Sequence, residues 1–223
     1  MSAATRSRPP LIHRARLAPP RRQAIWVQRD RLLARLDAVP AGDVICLVTP
    51  SGFGKSALVA DWLDTRCIPA AWLTLDAADN DLPTFVSHLI AALRTVFPLV
   101  GARSLILAST PTPTDPRRLA RAFTEDLYDL PQDLRLVLDG LDAITSDTSI
   151  GFVETLLRFP TPGVSIILTS RRRMPAPIPL LRSRGSAIEL LSRDLAFSRG
   201  DVDALLTGVM ARQPSPRYHR LDP

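Results

Sequence analysis

Two spacings of apolar residues alternate along this chain. Residues 44–49, 70–75, 134–138 and 164–169 are short, nearly unbroken β-prone runs, the pattern of strands covered on both faces. Between them the apolar positions recur at helical spacing. Leu32, Leu33 and Leu36 mark a lead-in helix over 29–39 with Asp30 as its N-terminal acid, and a helix-compatible stretch follows Gly54 as far as Leu63. Asp81 is placed to cap a helix running to about Phe97 that buries Phe85, Leu89, Leu93 and Val96. Pro116 can open another with Leu119, Phe123 and Leu127 on one stripe, and residues 152–159 form a further helical segment. Residues 76–81 read as a polar loop, and the Thr/Pro-rich passage from Pro98 to Asp115 as a loop or weakly ordered connection. Strand and helix alternate throughout, which predicts an α/β domain with a parallel sheet and function gathered at the carboxyl ends of its strands.

Composition narrows the class. A chain of 223 residues can bury one substantial α/β core with a tail at each end. No apolar run reaches the roughly 18 residues of a membrane span, and no membrane partner is expected. Residues 1–22 carry six arginines and no acid, yet lack the apolar core of a secretory signal, so a basic, Pro/Arg-rich disordered leader is expected over 1–23. Cys46 and Cys67 have no metal-ligand spacing, which points to a reducing, cytoplasmic setting. The net charge of +6 invites a nucleic-acid reading, but arginine is spread along the whole chain without interleaved aromatics. With no helix-turn-helix or zinc-finger pattern, direct DNA binding is not expected of this chain.

Lys55 is the only lysine among 28 basic residues, and it stands in a phosphate-loop pattern. Thr49-Pro50-Ser51-Gly52-Phe53-Gly54-Lys55-Ser56 fits G-x-x-x-x-G-K-[ST] except at Thr49, which replaces the first glycine. Gly52 and Gly54 let the backbone curl so that successive amides face one anion, and the helix beginning near Lys55, with Ser56 and Ala57 in its first turn, adds its positive end. Lys55 would hold the β and γ phosphates of ATP, or the β phosphate of ADP, and Ser56 a magnesium ion. Asp139, at the end of the 134–138 strand, is the candidate magnesium-side carboxylate, acting through water. Asp142 is the nearest second acid that could orient an attacking water. Arg171, directly after the fourth strand, can report the γ phosphate by bidentate contact, with Arg172 and Arg173 behind it as a solvated basic cluster.

In this order these residues resemble the nucleotide-binding domain of STAND ATPases, most closely that of the MalT-like, LuxR-type transcriptional activators. The resemblance runs from about Ala24 to Met210. It includes residues 27–33, 49–56, 72–76 with Asp79 and Asn80, 136–139, 168–171, 180–185 and 194–198. In that family Ser or Thr commonly stands at the position of Thr49. The resemblance implies a P-loop NTPase fold of ASCE/STAND type, with a five-stranded, mostly parallel sheet flanked by helices. The arginine-bearing strand would lie between the loop strand and the magnesium strand, bringing Lys55, Asp139 and Arg171 together, and Arg29 would lie near the adenine.

The same resemblance implies a nucleotide-binding domain over 24–197, the beginning of a helical lid over 198–211 and a disordered tail over 212–223. It departs at Gly140, where the MalT-like pattern usually has a second aspartate. The expected activity is that of an ATP-binding switch with slow turnover. The switch would associate with itself or with full-length regulators when ATP is bound, and would be isolated or truncated before any sensor repeats and DNA-binding helix-turn-helix. A free-standing P-loop hydrolase or kinase, and a non-catalytic interaction fragment, are the competing classes.

Overall fold

A computed structural model describes residues 12–21, 27–110, 115–172 and 177–210. The start of the basic leader, Arg22, Arg173 and the tail at 212–223 lie outside the described residues. Five strands, β1 (Val44–Val48), β2 (Ala70–Thr74), β3 (Leu134–Asp139), β4 (Val164–Ser170) and β5 (Ala187–Leu191), pair in parallel in the order β2-β3-β4-β1-β5. The arginine-bearing strand β4 therefore lies between the loop strand β1 and the acid-bearing strand β3, as the family resemblance implies. Register matters here as much as order. Leu47 pairs with Thr169 and Leu138 with Leu168, so the carboxyl ends of β1, β4 and β3 finish side by side.

Period-two alternation sends side chains of each strand to opposite faces. Cys46, Leu73, Leu136, Leu138, Ile166 and Leu168 face one buried core with α3 (Leu82–Leu93), α5 (Pro116–Tyr128) and α6 (Asp147–Arg158). There Phe152 meets Phe85 and Phe123 edge-on, each pair of centroids 5.7 Å apart, the geometry ring quadrupoles favour. Ile45, Leu47, Trp72, Val137 and Ile167 face a second core with α1 (Asp30–Asp37) and α2 (Lys55–Thr65). The helical stripe read from Leu32, Leu33 and Leu36 is wholly buried there. Asp81 caps α3 as expected, its carboxylate accepting from the Thr84 amide at 3.1 Å.

The passage between Pro98 and Asp115 is a correction. It holds a helix, α4 (Ala102–Ala108), entered through Gly101 at φ +89°. The caps come from another element: Asp126 of α5 accepts from the Ser104 amide at 2.9 Å and from its hydroxyl at 2.5 Å. Leu105 and Leu107 pack on the core. A cap donated from 22 residues away leaves no local signal. β5 also escapes the apolar-run reading, because Glu189 interrupts it and pairs with Arg182 of α7 (Ile178–Ser183). After β5 come α8 (Ser192–Leu195) and α9 (Arg199–Met210).

Part of the basic leader is folded onto the domain. Arg14–Leu17 form a 3-10 turn against β2, with Ile12 and Leu17 packed on the core. No helix among the described residues is long and apolar enough to cross a membrane.

Candidate functional site

A cleft of about 790 Å³ opens at the carboxyl ends of the strands, over the loop that joins β1 to α2. This is where a parallel sheet collects ligands, since the chain leaves β1 for the far edge strand β2 while β4 leads across to β5. The loop's two glycines carry the backbone into the left-handed region, Gly52 at φ +87° and Gly54 at φ +75°. Side chains resist that region, and in a turn of this kind it brings neighbouring amides round to one anion site. A Cβ on Gly54 would also stand 3.1 Å from the Arg29 guanidinium.

Lys55 is folded back over its own loop. Its Nζ donates to the Thr49 carbonyl at 2.7 Å, the Pro50 carbonyl at 2.9 Å and the Thr49 hydroxyl at 3.3 Å. Those acceptors hold the ammonium at the cleft. Burial pulls Lys55 down from its ordinary value, with Asp142 opposing, Arg171 adding to the effect and Asp139 opposing. Asp139, Asp142 and Arg171 line the same cleft as Lys55. Thr49 and Pro50 themselves do not line the cleft; they serve it through these carbonyls.

Ser56, on the first turn of α2, donates from Oγ to Asp139 Oδ1 at 2.6 Å. The same oxygen accepts a second hydroxyl, Thr169 Oγ1, also at 2.6 Å, and Thr169 accepts from the Gly140 amide at 2.8 Å. Thr169 is the residue the sequence reading missed. Its only signal is register: it falls one place after Leu168, which pairs with Leu138, the residue before Asp139. Asp142 accepts from the backbone amide of Arg171 at 2.9 Å, and its other oxygen lies 3.7 Å from Arg171 Nε. Asp142 thus fixes the start of the loop after β4, while the Arg171 side chain stays mostly exposed at the cleft.

At the other end of the cleft, Arg29 is buried and committed to main-chain partners. It donates to the Leu195 carbonyl at 2.7 Å and to the Phe53 carbonyl at 3.3 Å, and lies 5.3 Å from the centre of the Phe197 ring. Burial pulls its guanidinium down from the usual value against the opposing charge of Asp201. Arg29 therefore ties the phosphate loop to the segment before α9. Ser51, Gly52, Phe53, Gly54 and Ala57 line the cleft, as expected for this loop.

The donor set fits a magnesium nucleotide. An ammonium and a curled glycine loop suit a polyphosphate, and a hydroxyl in contact with a carboxylate supplies the oxygen ligands a hard divalent cation takes. Among the described residues no cluster of three or more His, Cys, Asp or Glu could hold a metal by itself. A cation here would take Ser56 and Asp139 and complete its shell with phosphate oxygens and water.

No family model matches the chain. Curated relatives do. The HTH-type transcriptional regulator MalT of Serratia proteamaculans is 31% identical over 207 residues, which covers 91% of this chain and 23% of that protein. MalT of Yersinia enterocolitica is 28% identical over 188 residues, 84% of this chain and 21% of that protein. The chain thus spans less than a quarter of the length of these relatives. Among solved structures the ORC1 protein of Aeropyrum pernix, determined in complex with DNA, superposes with a TM-score of 0.52 at 14% identity, over 85% of this chain and 51% of that one. At that identity the likeness is one of fold. This chain is a P-loop NTPase-fold domain homologous to one segment of the MalT transcriptional regulators.

Proposed function

We propose that the chain is an ATP- and magnesium-binding nucleotide switch, the regulatory ATPase domain of a MalT-like transcriptional regulator. One observation carries the reading: Lys55, Ser56 and Asp139 line one cleft at the carboxyl ends of the strands, with the lysine held there by carbonyls and the serine hydroxyl 2.6 Å from the carboxylate. Bound magnesium would supply positive charge against the phosphates, with Ser56 and Asp139 as its protein side. Lys55 leaves the Thr49 and Pro50 carbonyls for phosphate oxygens. Thr169 keeps Asp139 aimed. Arg171, pinned at its amide by Asp142, presents a guanidinium that distinguishes a terminal phosphate from its absence.

The reading divides the chain into a nucleotide-binding domain over 24–197 and the start of a helical lid over 198–211. ATP would favour an open state that associates with itself or with full-length regulators in the cytoplasm. The half-exposed Phe197 at the cleft and Leu206 on α9 support a surface that changes hands in that step. Any hydrolysis would be slow and regulatory, since Gly140 stands where a second aspartate would assist.

Isothermal titration calorimetry tests the reading. The wild-type chain takes up magnesium ATP, and Lys55→Ala binds it roughly ten- to a hundredfold more weakly, the loss of a charge-assisted contact worth about 1.5–3 kcal/mol. Equal affinity in the two proteins refutes the lysine's role, and no heat from the folded wild type refutes the nucleotide reading outright.

A further inference from the structure

The folded part of the leader is held by a buried latch. Arg16 donates from Nε to the Thr74 carbonyl at 2.8 Å, ion-pairs with Asp76 at 3.1 Å, and ion-pairs with Asp79. Asp79 is fully buried, and it also accepts from the Asp76 amide at 2.8 Å and lies 2.7 Å from His88 Nδ1. A buried carboxylate with this many donors is a costly thing to strip of its guanidinium, so the latch fixes residues 12–17 on the edge strand. Four residues further on, Pro20 and Arg21 form part of the wall of the nucleotide cleft. The described stretch that ends at Arg21 is therefore part of the site, not a tail beside it.

Four cations line that cleft among the described residues. Without nucleotide, Arg29 donates to the Leu195 and Phe53 carbonyls, Lys55 donates to those of Thr49 and Pro50, and Arg171 faces Asp142. Arg21 has neither a hydrogen bond nor an ion pair among the described residues. A cation anchored at a cleft wall and left without an anion is complementary to a ligand that brings one.

We infer that Arg21 is a further nucleotide-binding residue, contacting the polyphosphate from the amino-terminal segment, and that Arg16 is the positioning residue that holds it there. The inference rests on the nucleotide reading above and adds to Lys55 and Arg171 a third side-chain cation, supplied by a stretch that precedes the lead-in helix. Arg16 touches no ligand; it acts by fixing where residues 20 and 21 sit. The polyphosphate and not the base is the target, because only the phosphates carry charge for an unpaired guanidinium to meet.

The test is competition against a fluorescent ATP analogue, read for magnesium ATP and for adenosine. Arg21→Gln weakens ATP about five- to tenfold, the size of one solvent-facing charged contact, and leaves adenosine unchanged. Arg16→Ala produces the same selective loss, and the double variant is no worse than either single one, since both remove the same contact. Should Arg16→Ala fail to fold, Arg16→Gln, which retains an amide donor for the Thr74 carbonyl and Asp79, takes its place. ATP affinity in Arg21→Gln equal to wild type overturns the inference, and so does an equal loss for adenosine. Losses that add in the double variant overturn the part given to Arg16. A wild-type chain that binds no ATP sinks the nucleotide reading itself, an outcome distinct from all of these.

Discussion

Thr169→Val isolates the hydroxyl that joins the acid of the site to the loop behind it. Thr169 is 1% exposed, and valine keeps its volume and branching, so the packing loss is small and the polar loss stands alone. Two hydrogen bonds go. One is to the Asp139 carboxylate at 2.6 Å, worth about 1.5–3 kcal/mol, and the other leaves the Gly140 amide without its acceptor, a cost of about 1–3 kcal/mol. Asp139 keeps Ser56, and Gly140 is only half-buried, so water recovers part of the second loss. A net destabilisation of about 2–4 kcal/mol follows, or a fall in Tm of roughly 4–16 °C for a domain of this size. Thermal and urea unfolding by circular dichroism, without nucleotide, measure it. Ser56→Ala is the control: its hydroxyl sits at the cleft where water can replace it, so it costs less, about 0.5–1.5 kcal/mol. If Thr169→Val melts with the wild type, or if it costs less than Ser56→Ala, then Thr169 does not hold Asp139 and the account of the acid's placement fails.

Gly54→Ala forces a side chain into φ +75° and within 3.1 Å of the Arg29 guanidinium. It lowers stability by about 1–2 kcal/mol for the backbone alone and weakens ATP, whereas Gly52→Ala, at φ +87° in open space, loses less; melting curves and calorimetry rank the pair. Asp142→Ala slows any turnover, measured as phosphate release, and leaves ATP affinity nearly unchanged, because its hydrogen bond is to the Arg171 backbone amide and the exposed guanidinium stays available to phosphate; equal turnover removes it from the mechanism. Burial pushes the Cys46 thiol up and Cys67 is exposed, so a disulfide exchange reagent titrates one thiol in the native chain and two after denaturation.

The fold was legible wherever an element supplies its own signals. Four strands announced themselves as nearly unbroken apolar runs because both of their faces are covered, and α3 and α5 carry Asp81 and Asp115 at their own N-termini with proline in the first turn. What was not legible depends on partners distant in sequence. α4 draws its cap from Asp126, and β5 tolerates Glu189 because Arg182 meets it. The leader reads as a tail by composition, yet Arg16 finds Asp79 at a separation of 63 residues. An arginine-rich stretch looks the same in one dimension whether its charges are solvated or latched.

The same division runs through the site, and it explains why one lysine could be singled out while one threonine could not. In a chain that uses arginine almost everywhere a cation is wanted, a surviving lysine marks a place where a planar guanidinium does not serve. The geometry says why: Nζ must sit within 2.9 Å of two carbonyls of a tight loop, a convergence that suits a compact ammonium and not a broad fork. Lys55 was therefore visible as an exception to composition. Thr169 is an exception to nothing, since a β-branched residue at the end of a strand is what strands ordinarily contain. Its role arises from the parallel register of β4 against β3, which no local pattern encodes, and from the two hydroxyls, its own and that of Ser56, that meet on one oxygen of Asp139. Lys55→Arg follows from the same reasoning: the positive charge is kept, but a broad guanidinium does not fit the tight loop where Nζ sits, so calorimetry finds ATP binding weakened despite the conserved sign of the charge, and affinity equal to wild type refutes the account.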